Sequence, residues 1–352
     1  MVDWLSSMQQ TFEYYVVDPA TWKDIKLLNN VKTCSISRDW EAETLGSATI
    51  DVTDSIGECY IRAYLITIQN GIKEKHPLGT FLVQTPSSKF NGKTRDVTMD
   101  AYTPLIELKE NRPPIGYFLL KGDNIMNAAY RLTREYARAP VVGTESSETL
   151  YNDFVSETDD TWLSFNSDLL ANAKYLYDLD EMGRILFSPK QETAALQPVW
   201  TYNDDNSSIL YPELTMEHDL YGIPNVVEVI YSNNGDNYYA KVVNDDVNSP
   251  TSTIARGREI VHRVTDPSII GNPMKNQIDE YAKQVLQEIS TVEYTISYTH
   301  GYCPVRIGDC VRLNYENAGL TDIKARVISQ SIKCEPGCPV TEKAIFTTKL
   351  WR

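Results

Sequence analysis

The sequence predicts an α+β, β-rich fold with two small β-barrel or sandwich modules and α/β insertions. Short segments that alternate apolar and polar residues dominate before residue 110 and again after residue 290. Between these regions, apolar residues recur at helical spacing in several places. The 22 tyrosines also favour β-structure, because the ring packs on a pleated surface while its hydroxyl finds water or a partner. We therefore expect the order β, α/β, β, helix, β along the chain.

Residues 1–110 are assigned to the first β-module. Strands are predicted at 31–40, 47–52, 60–70, 79–86 and 96–102. Turn-forming residues separate them at 54–57, 70–71, 76–79 and 91–92. Gly79 closes the turn His76-Pro77-Leu78-Gly79 and is therefore predicted to be a hairpin-turn residue.

Residues 111–196 are assigned to an α/β insertion domain. Asp123 or Asn124 is suited to cap a helix that runs toward Ala139 and stops at Pro140. A second, shorter helix is predicted within 161–173. The segment 175–189 predicts a hairpin that turns at residues 181–183.

The second β-module is predicted to begin in residues 197–265 and to be completed by residues 266–352. In its first part, strands at 226–232 and 238–244 flank a turn at 233–236. A helix then follows Gly271, with Asn272 as its cap and Pro273 as its first residue. Apolar residues lie on one face of that helix at Ile278, Tyr281, Ala282, Val285, Leu286 and Ile289.

The stretch VRIGDCVRLNY, residues 305–315, predicts two strands joined by a turn at Gly308 and Asp309. Alternation directs Ile307, Val311 and Leu313 inward. Arg306, Asp309 and Arg312 are expected to contact water or a neighbouring chain. The stretch HPLGTFLV, which contains Gly79, has a similar form, and the two are expected to occupy comparable places in the two modules.

The negative charge is concentrated in one part of the chain. The net charge is −15, and residues 139–240 contain eighteen acidic and three basic residues, which accounts for all of it. Such a field opposes binding to phosphates, so sequence-specific nucleic-acid binding is not expected. An acidic face that keeps the protein soluble explains the charge equally well.

No catalytic, metal or cofactor site is predicted. The sequence contains no GxSxG, P-loop, GxGxxG before a helix, or HExxH. The stretch DLDEMG at 178–183 begins like a calcium loop but has Met182 and Pro189 where ligands are needed, so a tight turn explains it better. The last four cysteines have no common zinc spacing and are expected to be thiols in the core or in loops, like the other two, Cys34 and Cys59. Their positions are Cys303, Cys310, Cys334 and Cys338.

The doublets Asp159-Asp160 and Asp204-Asp205 are the best candidates for a pair of glycosidase carboxylates. Doublets are expected by chance in so acidic a region, and proximity in sequence does not show that one acid is protonated and its partner ionised. A β-rich carbohydrate-binding or glycan-cleaving protein is therefore kept as the alternative function.

Localisation signals are not expected. The N-terminus has an acid at Asp3 and no early lysine or arginine, unlike a secretory signal peptide, which argues against a secreted adhesin. No run of about 18 apolar residues could span a membrane. Folding in a cytoplasm is the expectation.

Several segments, taken in order, resemble the hub proteins of bacteriophage tails and baseplates. They cover the chain from about residue 30 to its end: HPLGTFLVQTP, RDVTMDAYTPLIEL, LLKGDNIMNAAYRL, DLDEMGRILFSP, YGIPNVVEVIYS, STIARGREI, QIDEYAKQVLQEIS and VRIGDCVRLNYENAGLTDIKARVISQSIKC. Each segment alone is weakly specific, and their order carries the resemblance.

The resemblance implies a non-enzymatic homotrimer in the virion tail, assembled in the host cytoplasm. Two β-modules per chain give six similar modules around a DNA channel. The ring joins the six-fold tail tube or distal tail protein to a three-fold spike or fibre, and a tape-measure protein is a further candidate partner. The chain ends directly after its last β-segment, so a bare hub without a host-binding extension is expected.

The acidic segment has a use in such a ring, because a channel wall that repels phosphate would let DNA pass without sticking. Candidate acids for the channel or its rim are Asp153, Glu157, Asp159, Asp160, Asp204 and Asp205.

Overall fold

The computed structural model describes residues 2–54, 56–92, 94–205, 208–233, 236–265, 267 and 275–351. The chain forms two compact units. The first unit comprises residues 1–214 and 298–344, and the second comprises residues 215–297 and 345–352. The division predicted from the sequence, into four segments, stays a prediction.

Strands account for most of the regular structure. In chain order they are β1 (Gln9–Val17), β2 (Asp24–Leu28), β3 (Val31–Asp39), β4 (Gly46–Val52), β5 (Cys59–Gln69), β6 (Ile72–Asn91), β7 (Thr94–Tyr102), β8 (Phe118–Leu119), β9 (Phe154–Val155), β10 (Tyr175–Leu179), β11 (Ile185–Pro189), β12 (Pro198–Asn203), β13 (Leu210–His218), β14 (Val226–Asn233), β15 (Asp236–Val243), β16 (Val261–Thr265), β17 (Thr291–Gly301), β18 (Cys310–Tyr315), β19 (Leu320–Lys333) and β20 (Pro339–Lys349). The α-helices are α1 (Ile106–Glu110), α2 (Ile125–Tyr136), α3 (Trp162–Asn172), α4 (Thr253–Arg256) and α5 (Lys275–Ile289). This β-rich α+β content confirms the predicted fold class.

The first seven strands form one antiparallel sheet in the order β2, β1, β5, β6, β7, β4, β3. Alternation along β3 and β4 places Ile36, Ile50 and Val52 on the buried face, and Leu65 and Val97 join them from β5 and β7. The strands predicted at 31–40, 47–52, 60–70 and 96–102 are confirmed within one or two residues.

Gly79 does not lie at a hairpin turn, so this prediction was wrong. Residues 76–79 continue through β6, where Pro77 is opposite Tyr64 and Gly79 is opposite Ala63. The register of the β5–β6 pair shifts between Ala63 and Tyr64, which marks a β-bulge. Proline is tolerated at a bulge because a backbone N–H is not needed there for the ladder of hydrogen bonds. A side chain at position 79 would meet the Phe81 ring, so the close packing of that ring explains the glycine.

The insertion contains the predicted helices. The Asn124 side chain caps α2 by accepting a hydrogen bond from the Asn127 backbone N–H at 2.9 Å, and the helix buries Ile125, Ala129 and Leu132. Thr161 caps α3 in a reciprocal capping box with Ser164. The two helices share a core with Val17, Tyr60 and Leu82 of the first sheet and with Trp22 of the β1–β2 loop.

The C-terminal strands are hydrogen-bonded to the first sheet within the first unit. Strand β19 pairs antiparallel with β3, from Ser329 opposite Asp39 to Lys333 opposite Ser35. On its other side, β18 pairs with β19, and β12 adds to β18 in parallel. The two β-rich parts of the chain are therefore continuous through one sheet.

The predicted hairpin at 305–315 is only half correct. Gly308 and Asp309 do lie at a turn, but residues 305–307 form no strand, and β18 turns into β19 around residues 316–319. The Gly308 N–H donates to the Val327 carbonyl, and the Val327 N–H donates to the Asp309 carbonyl. The turn is therefore held by β19 and not by a preceding strand. Val311 and Leu313 are buried as predicted, whereas Ile307 and Arg306 are half-buried.

Gly308 is expected to tolerate no side chain. Its φ of +87° favours glycine, and a Cβ would lie 2.5 Å from the Trp40 ring. Gly308→Ala should lower the free energy of unfolding by about 2 kcal/mol, from backbone strain and overpacking together. Gly319→Ala is the matched control, because φ is +69° there but nothing lies within 4 Å, and it should cost about 1 kcal/mol. If urea unfolding showed the same loss of unfolding free energy in Gly308→Ala and Gly319→Ala, a clash with Trp40 would be contradicted.

The second unit has its own core. Strands β14 and β15 form the predicted antiparallel hairpin, and β16 pairs with β14 in parallel. Helix α5 covers this small sheet with Ile278, Ala282 and Leu286, the residues that its spacing predicts to be apolar and inward. The predicted turn residues 234 and 235 and the helix start at Gly271, Asn272 and Pro273 lie outside the described residues. In the described part of the chain, no helix is both long and apolar enough to cross a membrane.

Candidate functional site

The loop between β10 and β11, residues 180–184, is clamped onto the β-rich part of the first unit by ion pairs. Glu181 Oε1 lies 2.9 Å from Arg306 Nε and 3.7 Å from a terminal guanidinium nitrogen of Arg38. Arg306 also lies 3.4 Å from the Asp178 carboxylate and donates to the Leu179 carbonyl. The clamp thus joins three distant segments of the sequence: β3, the β10–β11 hairpin and the turn before β18.

The backbone of the same loop is held by the first sheet. The Met182 carbonyl accepts hydrogen bonds from Trp22 Nε1 at 2.7 Å and from buried Arg62 at 3.0 Å. Gly183, with φ of +73°, packs so closely that a Cβ would lie 2.6 Å from Thr80 Cβ. The stretch DLDEMG is therefore a tight turn, as predicted, and its acids serve as anchors of the insertion domain.

Charge in the clamp is balanced by pairing. Burial opposes the charge on Arg306, but Glu181 and Asp178 outweigh it and raise the pKa of the guanidinium. Burial raises the pKa of Asp309, although the Arg306 backbone N–H donates to that carboxylate at 2.8 Å. Arg306 is therefore an ion-pair partner, contrary to the expectation that it contacts water or another chain.

Behind the clamp lies a fully buried polar cluster built around Glu342. The Glu342 carboxylate accepts hydrogen bonds from Tyr298 at 2.8 Å and from Gln330, and lies 3.3 Å from His300 Nε2. Gln330 in turn accepts from Arg38 at 3.0 Å, so the cluster and the clamp are joined. None of Glu342, His300 or Tyr298 has more than 2% of its surface exposed.

The surroundings of His300 favour its charged form. Its Nδ1 is 2.6 Å from the Gly301 carbonyl oxygen, and its Nε2 is 3.3 Å from the Glu342 carboxylate, so an acceptor lies beside each ring nitrogen. Burial lowers the pKa of His300, but Glu342 outweighs this effect and raises the pKa to about 10. Burial likewise acts to raise the pKa of Glu342, and the His300 charge together with hydrogen bonds from Gln330 and Tyr298 brings the net shift downward.

Cys303 and Tyr202 complete the cluster. The Tyr202 hydroxyl lies 3.2 Å from Cys303 Sγ and 3.0 Å from His300 Nε2. The thiol of Cys303, the imidazole of His300 and the carboxylate of Glu342 lie next to one another in space, as a nucleophile and its base do in some enzymes. However, Cys303 is only 1% exposed and cannot contact a substrate. The cluster is therefore suited to fixing the positions of β17, β19 and β20, which contribute His300, Gln330 and Glu342.

Three of the six predicted channel or rim acids are engaged by the protein's own backbone. Asp153 accepts from the Lys121 N–H at 2.7 Å, Asp160 from the Glu157 N–H at 2.7 Å, and Asp204 from the Glu316 N–H at 2.8 Å. Glu157 and Asp159 are exposed, as is Asp205. These contacts organise loops, and the channel role of the acids stays a prediction.

The cysteines are all free thiols, and no group of three or more His, Cys, Asp or Glu residues within the described ranges could hold a metal ion. Cys303 belongs to the buried cluster, whereas the Cys334 backbone N–H bonds to the Cys34 carbonyl at 2.9 Å. The four cysteines considered for zinc are thus distributed over different surroundings.

The fold is similar to that of known tail proteins. The tail protein of Neisseria meningitidis matches with a TM-score of 0.61 at 12% identity, over 96% of both chains. The 43 kDa tail protein of prophage MuSo2 from Shewanella oneidensis matches with a TM-score of 0.60 at 11% identity, over 96% of this chain and 98% of that one. A chain of the Francisella PdpA–VgrG complex matches at 0.54 and 11% identity, over 99% of this chain and 54% of that one.

At the level of sequence, no family model and no curated protein matches the chain. The structural likeness extends along nearly the whole chain, through both β-rich parts and the insertion. It therefore confirms the fold predicted from the ordered segments. The chain has the fold of bacteriophage tail proteins.

Proposed function

We propose that this protein is a non-enzymatic structural hub of a phage or phage-like tail tip. Three copies form a ring between the six-fold tail tube or distal tail protein and a three-fold spike or fibre, in the tail of the virion. The observation that supports this proposal most strongly is the match to two tail proteins over 96% of the chain, from one β-rich part to the other.

The sheet supplies a physical reason for the ring. Because β3 and β19 are hydrogen-bonded, each chain presents its two β-rich parts in one piece. Three such pieces offer six β-rich surfaces, so a three-fold ring can meet a six-fold neighbour without a change of sequence. A closed ring would also cover strand edges that would otherwise promote aggregation.

The ring surrounds a passage for DNA in this proposal. Exposed acids of residues 139–240 face the passage or its rim and keep phosphates from adhering. The electrostatic potential along the bore of an assembled ring, from an experimental structure, tests this part. A neutral or basic bore would contradict it and leave the acids on an outer face.

The hub proposal is tested by the mass of the purified protein in solution, measured by sedimentation velocity at concentrations from micromolar to millimolar. A trimer is expected, with a central opening in electron micrographs. A strict monomer that bound or cleaved glycans would instead favour the alternative. In that case Asp159→Asn/Asp160→Asn and Asp204→Asn/Asp205→Asn should abolish turnover, whereas a hub loses at most assembly.

A further inference from the structure

An exposed apolar patch lies on the insertion domain. It consists of Ile115, Phe118, Leu120, Tyr151 and Val155. Phe118 and Val155 are directly opposite each other in the β8–β9 pair and are 53% and 58% exposed. The other three are 56% to 95% exposed. Leu119, between two of them, points the other way into the core, so alternation puts the apolar side chains on the solvent face.

The two chain segments that carry the patch run side by side. The Ser156 N–H donates to the Tyr117 carbonyl, and the Lys121 N–H donates to the Asp153 carboxylate. The sequence within three positions of the patch residues contains four acidic residues and two basic ones. The acidic residues are Asp123, Glu148, Asp153 and Glu157. Large contiguous apolar surface with a polar rim is typical of a docking surface. The acidic rim favours a partner with a basic rim.

A surface of that kind exists on the same chain. Strand β2 is an edge strand, since β1 is its only partner among the described strands. Its Ile25 and Leu27 are 65% and 42% exposed, and Lys23 and Lys26 beside them are exposed. The acid in this strand, Asp24, is already paired with Arg62 at 2.8 Å. The β2 edge is therefore apolar with a basic border.

We infer that the apolar patch of one copy docks on the β2 edge of the next copy, as the head-to-tail contact that closes the ring. The inference rests on the proposed trimeric hub. Two apolar surfaces with opposite charges attract, whereas two acidic patches would repel, so a symmetric patch-to-patch dimer is disfavoured. The contact would cover Asp153 and Glu157, which leaves Asp159, Asp160, Asp204 and Asp205 for the DNA passage.

The test is the mass of three full-length variants in sedimentation velocity. The patch variant is Phe118→Glu/Val155→Glu, and the edge variant is Ile25→Glu/Lys26→Glu. Each should raise the dissociation constant of the trimer at least about 100-fold. The patch variant buries carboxylates against the apolar side chains of Ile25 and Leu27, and the edge variant places carboxylates against the acidic rim of the patch. The control is Val247→Glu, at a 72% exposed position of the second unit, which should leave the trimer intact. Circular dichroism melts must show that all three variants fold.

Mixing the patch and edge variants gives a second readout. Each variant retains one intact surface, so an equimolar mixture should form dimers of one copy of each, which cannot close a ring. If both variants formed a trimer as stable as that of the wild type, this contact would be overturned and the hub proposal would stand. A wild type that stays monomeric up to millimolar concentration would overturn both. Loss of the trimer in the patch variant alone, with no mixed dimer, would mean that the patch meets a surface other than β2.

Discussion

Replacing Glu342 with glutamine is expected to lower the free energy of unfolding of the first unit by about 3 kcal/mol, as for other buried ion pairs that lose one partner. The carboxylate is fully buried and offsets the charge of His300. Glutamine has a similar shape but no charge, and its amide would point a donor at Tyr298 or Gln330, which already donate to this position. The imidazolium would then be buried without its counterion.

The loss should depend on pH in a defined direction. Because the pKa of His300 is raised to about 10, its charged form contributes stability fully below its ordinary pKa of 6.5, and this contribution is lost as the pH rises toward 10. The pKa of Glu342 is lowered, so its contribution is present above the ordinary value of 4.5 and is lost as the pH falls through the lowered pKa. The difference between wild type and Glu342→Gln should therefore be largest between pH 4.5 and 6.5 and shrink toward pH 10.

Urea unfolding followed by tryptophan fluorescence measures this difference, because five of the six tryptophans lie in the first unit. Glu335→Gln is the control. Glu335 is exposed, lies four residues before β20 begins at Pro339 and is not part of the cluster, so this variant should stay within about 0.5 kcal/mol of wild type at every pH. A Glu342→Gln variant as stable as wild type near pH 6, or a loss that grows with pH, would contradict a charged pair.

The elements that sequence analysis predicted best are those with local signals. Helix α2 begins directly after Asn124 because that side chain caps it, and the β10–β11 hairpin turns at Gly183, where φ is positive. The prediction for Gly79 failed because a glycine shortly after a proline is typical of a turn, whereas here a bulge in β6, at Leu78, keeps both residues inside a long strand. Which strand pairs with the turn at Gly308 depends on β19, which local sequence does not reveal.

The buried cluster was missed for a related reason. Local sequence gives His300 no partner, because Glu342 lies 42 positions away on another strand. A signal was present, because Glu342 shares the inward face of β20 with Val340 and Ala344, and an acid at such a position needs a partner. Alternation can thus indicate that a polar residue is buried, but the identity of its partner requires the pairing of β17 with β20.

Arg306→Ala is expected to destabilise the first unit by about 2 kcal/mol, because it breaks a half-buried ion pair. The guanidinium is the cation that approaches Glu181 most closely, and it also reaches Asp178 and the Leu179 carbonyl. Without it, Asp178 and Glu181 lose the cation that they share, and among the described residues Arg38, at 3.7 Å, remains as the cation near Glu181. The hairpin should therefore detach more easily from the turn that precedes β18.

Arg184→Ala supplies the matched control within the same hairpin. Arg184 pairs with Asp180 but is 52% exposed, so its loss should change stability by no more than about 0.5 kcal/mol. Hydrogen exchange separates a local from a global effect: amides of residues 175–189 should exchange faster in Arg306→Ala than in Arg184→Ala, while those of β14 and β15 stay unchanged. Equal exchange in the two variants would show that Arg306 does not anchor the hairpin. The insertion would then be held by other contacts, among them the hydrogen bonds to the Met182 carbonyl and the shared core, which involve neither Arg306 nor Arg184.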